Sequence, residues 1–175
     1  MKKLWGHFKT ISIHKWKVTH LCFRCGLYKQ GLKHDLSKYT WIEFSSGVKY
    51  YQGNRSPIEK EKEAKGYSLG WQHHKGRNPH HWEYWLDNDP NTKIKSIEMP
   101  LPYVVEMFCD RVAACMTYQK EHYRDDSALI YYNTSRSHLL IHPKTDALIV
   151  HLMQQLAEYG LDYTIAYIRN DILSS

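Results

Sequence analysis

A chain of 175 residues, 42% hydrophobic and 24% charged, can bury a core without disulfide staples and is too apolar for a disordered segment. No apolar run approaches the roughly 18 residues that cross a bilayer, and the basic Met1 to Lys9 stretch lacks a leader's apolar core, so no membrane partner and a cytoplasmic location are expected. A formal charge of +6 favours an anionic partner, although the basic residues are scattered and form no dense nucleic-acid tail.

Helical periodicity runs through most of the chain. His14, Val18, Leu21, Cys22, Cys25 and Tyr28 share one face of a helix predicted from Ile11 to Tyr28, with Gly31 as its stop. The lone CxxC of Cys22 and Cys25, like Cys109 and Cys115, reads as reduced core thiols, because no second CxxC completes a zinc site. A short helix should then turn Leu32, Asp35 and Leu36 inward. Thr40-Trp41-Ile42-Glu43 and Ser56-Pro57-Ile58-Glu59 have capping-box spacing and open the next two helices. Glu59 to Lys65 reads as a solvated face, and Tyr67 to Lys75 as a helix broken at Gly76-Arg77-Asn78-Pro79. A short helix restarts from His80 to Trp85, and Asp87 to Pro102 is the one long loop. Tyr103 to Tyr118 is amphipathic, a further helix runs from Pro143 to Gly160, and the last from about Tyr163 to Leu173. With no strand pairing in sight, the expectation is a single all-α bundle. Its metal core lies at about residues 11–120, and the helices of 143–173 pack on it.

Twelve histidines exceed what ordinary composition supplies. His14 lies on the buried stripe of its helix, His34 and Asp35 are adjacent, and two His-His pairs follow at 73–74 and 80–81. Asp110 stands four residues after Glu106 on an apolar helix, so the two carboxylates share a face. A buried, unpaired Asp35 is costly, and an ion shared with His14 and His34 would satisfy it as well as a structural ion pair would. Imidazole and carboxylate suit divalent Mn, Fe, Co, Ni or Zn. In the His-His pairs, adjacent helical residues point about 100° apart. His74, which shares a face with Tyr67 and Trp71, is favoured over His73, and at least one of His80 and His81 should face the site.

The order His14, His34-Asp35, Asp110 resembles the HD-domain superfamily of metal-dependent phosphohydrolases. His34-Asp35-Leu36-Ser37-Lys38 is similar to its HDxxK form, and Cys109-Asp110-Arg111-Val112-Ala113-Ala114 to its final Asp helix; the likeness covers roughly His14 to Tyr118. It implies an all-helical core that holds metal through His14, His34, Asp35 and Asp110. The histidines of 73–81 resemble those that extend the site to two or three metals in the HD-GYP branch, but here His80-His81-Trp82-Glu83 replaces HHE and no GYP follows. Gly66 to Trp85 looks instead like an uncharacterised family of short bacterial and phage proteins.

The resemblance implies one or two divalent transition-metal ions held by His14, His34, Asp35 and Asp110, with His74, His80 and His81 taking the second. It also implies hydrolysis of a small phosphomonoester or phosphodiester, such as a nucleotide, by a metal-bound hydroxide. Lys38 is the candidate to neutralise phosphate, Arg55 and Arg77 are candidate substrate contacts, and Asn78 beside Arg77 could join them. Glu83 or Glu106 could serve as acid or base, or orient a ligand imidazole. Two other classes share these residues: a di-iron oxygenase of the same helical type, and a metal-stabilised protein that binds nucleotides or nucleic acid without turnover.

Overall fold

The computed structural model describes residues 1–91 and 93–174 and is all-α apart from one hairpin. The helices are α1 (Lys2–Arg24), α2 (Tyr28–Lys33), α3 (Trp41–Tyr50), α4 (Pro57–Lys65), α5 (Leu69–Lys75), α6 (Leu101–Tyr118), α7 (Ser127–Ser135) and α8 (Pro143–Tyr167). Single 3₁₀ turns cover Leu36–Tyr39 and Trp82–Trp85. No described helix is long and apolar enough to cross a membrane.

α1 starts at Lys2, nine residues before the expected Ile11, and stops earlier than expected. Gly26, at φ 85°, ends it: the Gly26 N–H donates to the Phe23 carbonyl at 3.0 Å and the Leu27 N–H to that of Cys22 at 2.8 Å. This is a Schellman closure, and a left-handed residue there favours glycine. Gly31 is no stop; it lies inside α2, where a Cβ would meet the Phe23 ring at 3.1 Å, so its role is close packing of α2 on α1. Leu32 and Leu36 were expected inward but are 62% and 53% exposed; α2 ends at Lys33, and the left-handed φ of 54° at Asp35 separates the helical registers of the two leucines. That turn swings the Asp35 carboxylate inside, where the residue is 1% exposed.

The main core joins the C-terminal half of α1 to α6, α7 and α8 through Val18, Leu21, Val105, Phe108, Val112, Tyr132, Leu152 and Leu156. All four cysteines are free and buried. α3 packs on α4, α5 and α1, so the N-terminal half of α1 faces a second layer. Between these layers lie the histidines.

Three other expectations change. The 87–102 segment holds an antiparallel hairpin, Leu86–Asp89 with Lys93–Ser96, whose polar residues carry no alternating apolar pattern. α7 had no amphipathic signal because its apolar residues fall on all sides, with Tyr132 buried and Tyr131 60% exposed. Glu61, expected in solvent, is 2% exposed and accepts from Ser46 and Ser68 Oγ, each at 2.6 Å. The predicted break at Gly160 is present as a non-helical residue inside α8, at φ 80°.

Gly47 of α3 lies against the imidazole of His7, where a Cβ would approach Nε2 to 2.1 Å. Alanine improves a helix by about 1 kcal/mol, but here the clash should win. Gly47→Ala is expected to lower stability by about 1–3 kcal/mol in urea unfolding.

Candidate metal centre

Four chain segments deliver the cluster. α1 presents His14 on its inner face, and the α2 exit presents His34 and Asp35. α6 contributes Glu106 and Asp110 one turn apart, and the α5 end with the following turn contributes His74, His80 and His81. His34, Asp35, His74, His80 and Glu106 are each at most 4% exposed, and His14 is 7% exposed.

The two oxygens of Asp35 divide the cluster. Oδ2 lies 3.3 Å from His34 Nε2 and 3.8 Å from His14 Nε2, while Asp110 Oδ1 is 2.9 Å from His14 Nε2 and 3.4 Å from His34 Nε2. Oδ1 of Asp35 lies 3.2 Å from His74 Nε2 and 3.4 Å from His80 Nε2. Two groups result, His14-His34-Asp35-Asp110 and Asp35-His74-His80-His81, each with its ligand atoms within 4.8 Å of one another. Donors bound at about 2.0–2.2 Å to a four- or six-coordinate ion stand roughly 3–3.5 Å apart along the edges of its coordination shell. The Asp35 contacts with His34, His74 and His80, at 3.2–3.4 Å, fall on those edges, while His14 lies farther from Asp35 at 3.8 Å.

Two carboxylates behind the rings fix their direction. Glu106 Oε1 accepts from His34 Nδ1 at 2.9 Å and pairs with His80 Nδ1 at 3.1 Å, so both rings turn Nε2 toward Asp35. Glu43 Oε2 accepts from His74 Nδ1 at 2.8 Å and Oε1 from His73 Nδ1 at 2.6 Å. Carboxylate on one ring nitrogen and metal on the other is the usual support of a ligating histidine. Buried polar atoms ordinarily find partners, yet Nε2 of His34, His80 and His81 and Oδ1 of Asp35 form no hydrogen bond, and Oδ2 of Asp35 is met by the Lys38 ammonium. All five atoms lie within the two groups that share Asp35.

Electrostatics favour the same use. Burial and the Lys38 charge push the His14 imidazole down, and burial with His80 and His74 pushes His81 well down, so both rings favour the neutral form. For His34 burial acts downward, but Asp35, Asp110 and Glu106 outweigh it and raise the imidazole well above its ordinary value. Burial works against the Asp35 carboxylate, but His34, Lys38 and His74 hold it well below the usual range. The same carboxylates favour a proton on His34 and on His74, a positive charge that divalent ions could supply instead.

Lys38 reaches the centre from the open side: Nζ is 2.5 Å from Asp35 Oδ2 and the side chain is 25% exposed. With His7, Thr10, Glu43, Tyr51, His74 and Tyr118 it lines a narrow cavity of ≈ 70 Å³. Burial and Lys38 hold His7 neutral there, its pKa lowered to about 4.

The structure brings His14, His34, Asp35, His74, His80, His81, Asp110 and Lys38 together and leaves three expected residues outside. Arg55 forks onto Glu63 at 2.6 and 2.9 Å on the surface. Arg77 is exposed, and its guanidinium donates to the His73 carbonyl at 3.4 Å. Glu83 makes no hydrogen bond or ion pair with the cluster, and burial raises its carboxyl. Asn78, considered as a substrate contact, is buried and donates to Ser37 Oγ at 2.8 Å and the His74 carbonyl at 2.7 Å, so it secures the turn. Glu43 was hidden behind its capping-box spacing; Thr40 makes no side-chain cap and its hydroxyl donates to the Ser37 carbonyl instead.

Glu106→Gln keeps the shape but removes the charge behind two rings. It is expected to weaken metal affinity about 10–100-fold, read by competition with a fluorescent chelator, while saturating metal restores full occupancy.

Fold and site together define a helical protein with a paired His/Asp cluster suited to divalent cations. The chain belongs to a family of unknown function, DUF5662, whose model matches residues 3–155. Comparison with curated proteins and with solved structures gives no match.

Proposed function

We propose that the chain is a metal-dependent phosphohydrolase of the HD type, with two divalent ions bridged by Asp35. One observation carries the reading: three buried imidazole nitrogens and an Asp35 oxygen, all without a hydrogen bond, lie within two groups of ligand-type residues that share the Asp35 carboxylate. Ions held there supply positive charge to phosphoryl oxygens and lower the pKa of water. His14, His34 and Asp110 hold one side of the pair and His74, His80 and His81 the other, while Glu106 and Glu43 keep the rings aimed. Lys38, at the cavity end of the cluster, is placed to take a phosphate oxygen of a phosphomonoester or phosphodiester. The cavity beside it would receive the organic group, a nucleoside among the candidates. A cation at that position favours an anionic substrate over the oxygen chemistry that the same ligand set permits.

The test is release of phosphate or nitrophenol from nitrophenyl phosphate, its bis-ester and nucleoside phosphates, after loading with Mn, Co, Fe or Zn. The expected result is turnover that needs metal and stops with chelator. No turnover with any metal, combined with oxygen consumption by the iron-loaded protein, would replace the hydrolase with a di-iron oxygenase.

A further inference from the structure

The back of α1 carries a second chemistry. The first 34 residues contain eight Lys and Arg and no Asp or Glu, whereas the rest of the chain holds sixteen basic and eighteen acidic residues. Helix periodicity sets Lys2, Trp5, Lys9, Ser12, Trp16 and His20 in one row, at steps of three and four, on the side opposite His14. Trp5 and Trp16 are 66% and 67% exposed, and Lys2, Lys9 and His20 are exposed beside them. Trp16 and His20 stack with their rings 10° from parallel, and Trp5 meets Phe8 edge-on.

Two lysines of α1 are already committed: Lys15 donates to the Leu32 and His34 carbonyls and Lys17 to that of Met116. Lys2, Lys3 and Lys9 have no acidic partner among the described residues. Two indoles held in water beside lysines without acidic partners offer stacking faces, and the charge around these rings favours an anion.

We propose that this row is a docking surface for single-stranded nucleic acid. Bases would stack on Trp5 and Trp16, with phosphates paired to Lys2 and Lys9. Aromatic rings that alternate with cations suit a polymer in which π-faces alternate with charges. From Lys2 to His20 the row spans about 27 Å, enough for several nucleotides. A helix lying on a membrane segregates its charges from its apolar stripe. Here Lys9 stands inside the row between Trp5 and Trp16, and Lys2 heads it. A second copy of the chain would bring like charge against like charge. Because the row and His14 occupy opposite faces of α1, docking leaves the metal centre open, and the surface stands whether or not the hydrolase reading does.

Fluorescence anisotropy with labelled oligothymidylate and oligouridylate tests this. The wild type should bind, with tryptophan quenching. Trp5→Ala/Trp16→Ala should weaken binding at least about tenfold with metal content and circular dichroism unchanged, as two exposed rings are dispensable for folding. Lys9→Gln should reduce the slope of log affinity against log salt by about 0.7. Unchanged affinity in the double variant would overturn the proposal. So would binding to anionic phospholipid vesicles but not to the oligonucleotides, or a dimer in sedimentation that the tryptophan substitutions dissolve.

Discussion

Replacing Asp35 with alanine is expected to empty both halves of the proposed centre at once. Its Oδ2 faces the His14, His34 and Asp110 group and its Oδ1 faces His74 and His80, so no other residue is common to the two four-residue groups. Metal per chain, measured by plasma mass spectrometry, should fall from two to below one. Metal-dependent phosphate release should drop about 10³-fold or more, the several kcal/mol that metal charge stabilisation supplies. Asp35→Asn serves as the folding control. Asparagine tolerates the left-handed backbone that Asp35 adopts and keeps its volume, but one oxygen becomes an amide that cannot ligate. A folded Asp35→Asn protein with reduced metal assigns the loss to the carboxylate; wild-type metal in both variants would show that Asp35 is no bridge.

Lys38→Met should separate binding of metal from use of metal. The ammonium touches Asp35 Oδ2, held there by attraction to Asp35 and Asp110 that outweighs burial and raises its pKa. A cation in that place competes with an ion for the same oxygen, so its removal leaves metal affinity unchanged or stronger. The substrate loses a charged partner, and kcat/KM is expected to fall about 10²–10³-fold. Methionine keeps the stem that lines the cavity with Thr10, Tyr51 and Tyr118. Metal content and kinetics on the same preparation check both halves, and a parallel loss of metal would make Lys38 a structural support of Asp35 instead.

The candidate ligands were legible because each sits in a short segment with its own signal. His14 falls on an apolar stripe, His34-Asp35 and the two His-His pairs are rare neighbours, and Asp110 interrupts an apolar helix. Adjacent histidines pointed apart as helix geometry requires: His74 faces Asp35 while His73 turns to Glu43. What sequence spacing could not supply was the second layer of contacts. Glu43 has the spacing of a capping box, and only the approach of α5 to α3 turns it onto two imidazoles. Arg55 reads as an anion contact beside a helix start, yet Glu63, eight residues on, takes its guanidinium. Gly31 reads as the stop of α1, yet Gly26 takes that place. The choice between them rests on which glycine needs a left-handed backbone and which allows close packing, and that is a tertiary property.

The most direct test of the shared-carboxylate centre is anomalous X-ray scattering from crystals of protein reconstituted with manganese or zinc. The account predicts two peaks roughly 3.5–4 Å apart, the spacing of two-metal sites, with Asp35 between them. One peak should be bounded by His14, His34 and Asp110 and the other by His74, His80 and His81. No peak at Asp35, with metal absent or bound elsewhere on the chain, would contradict it.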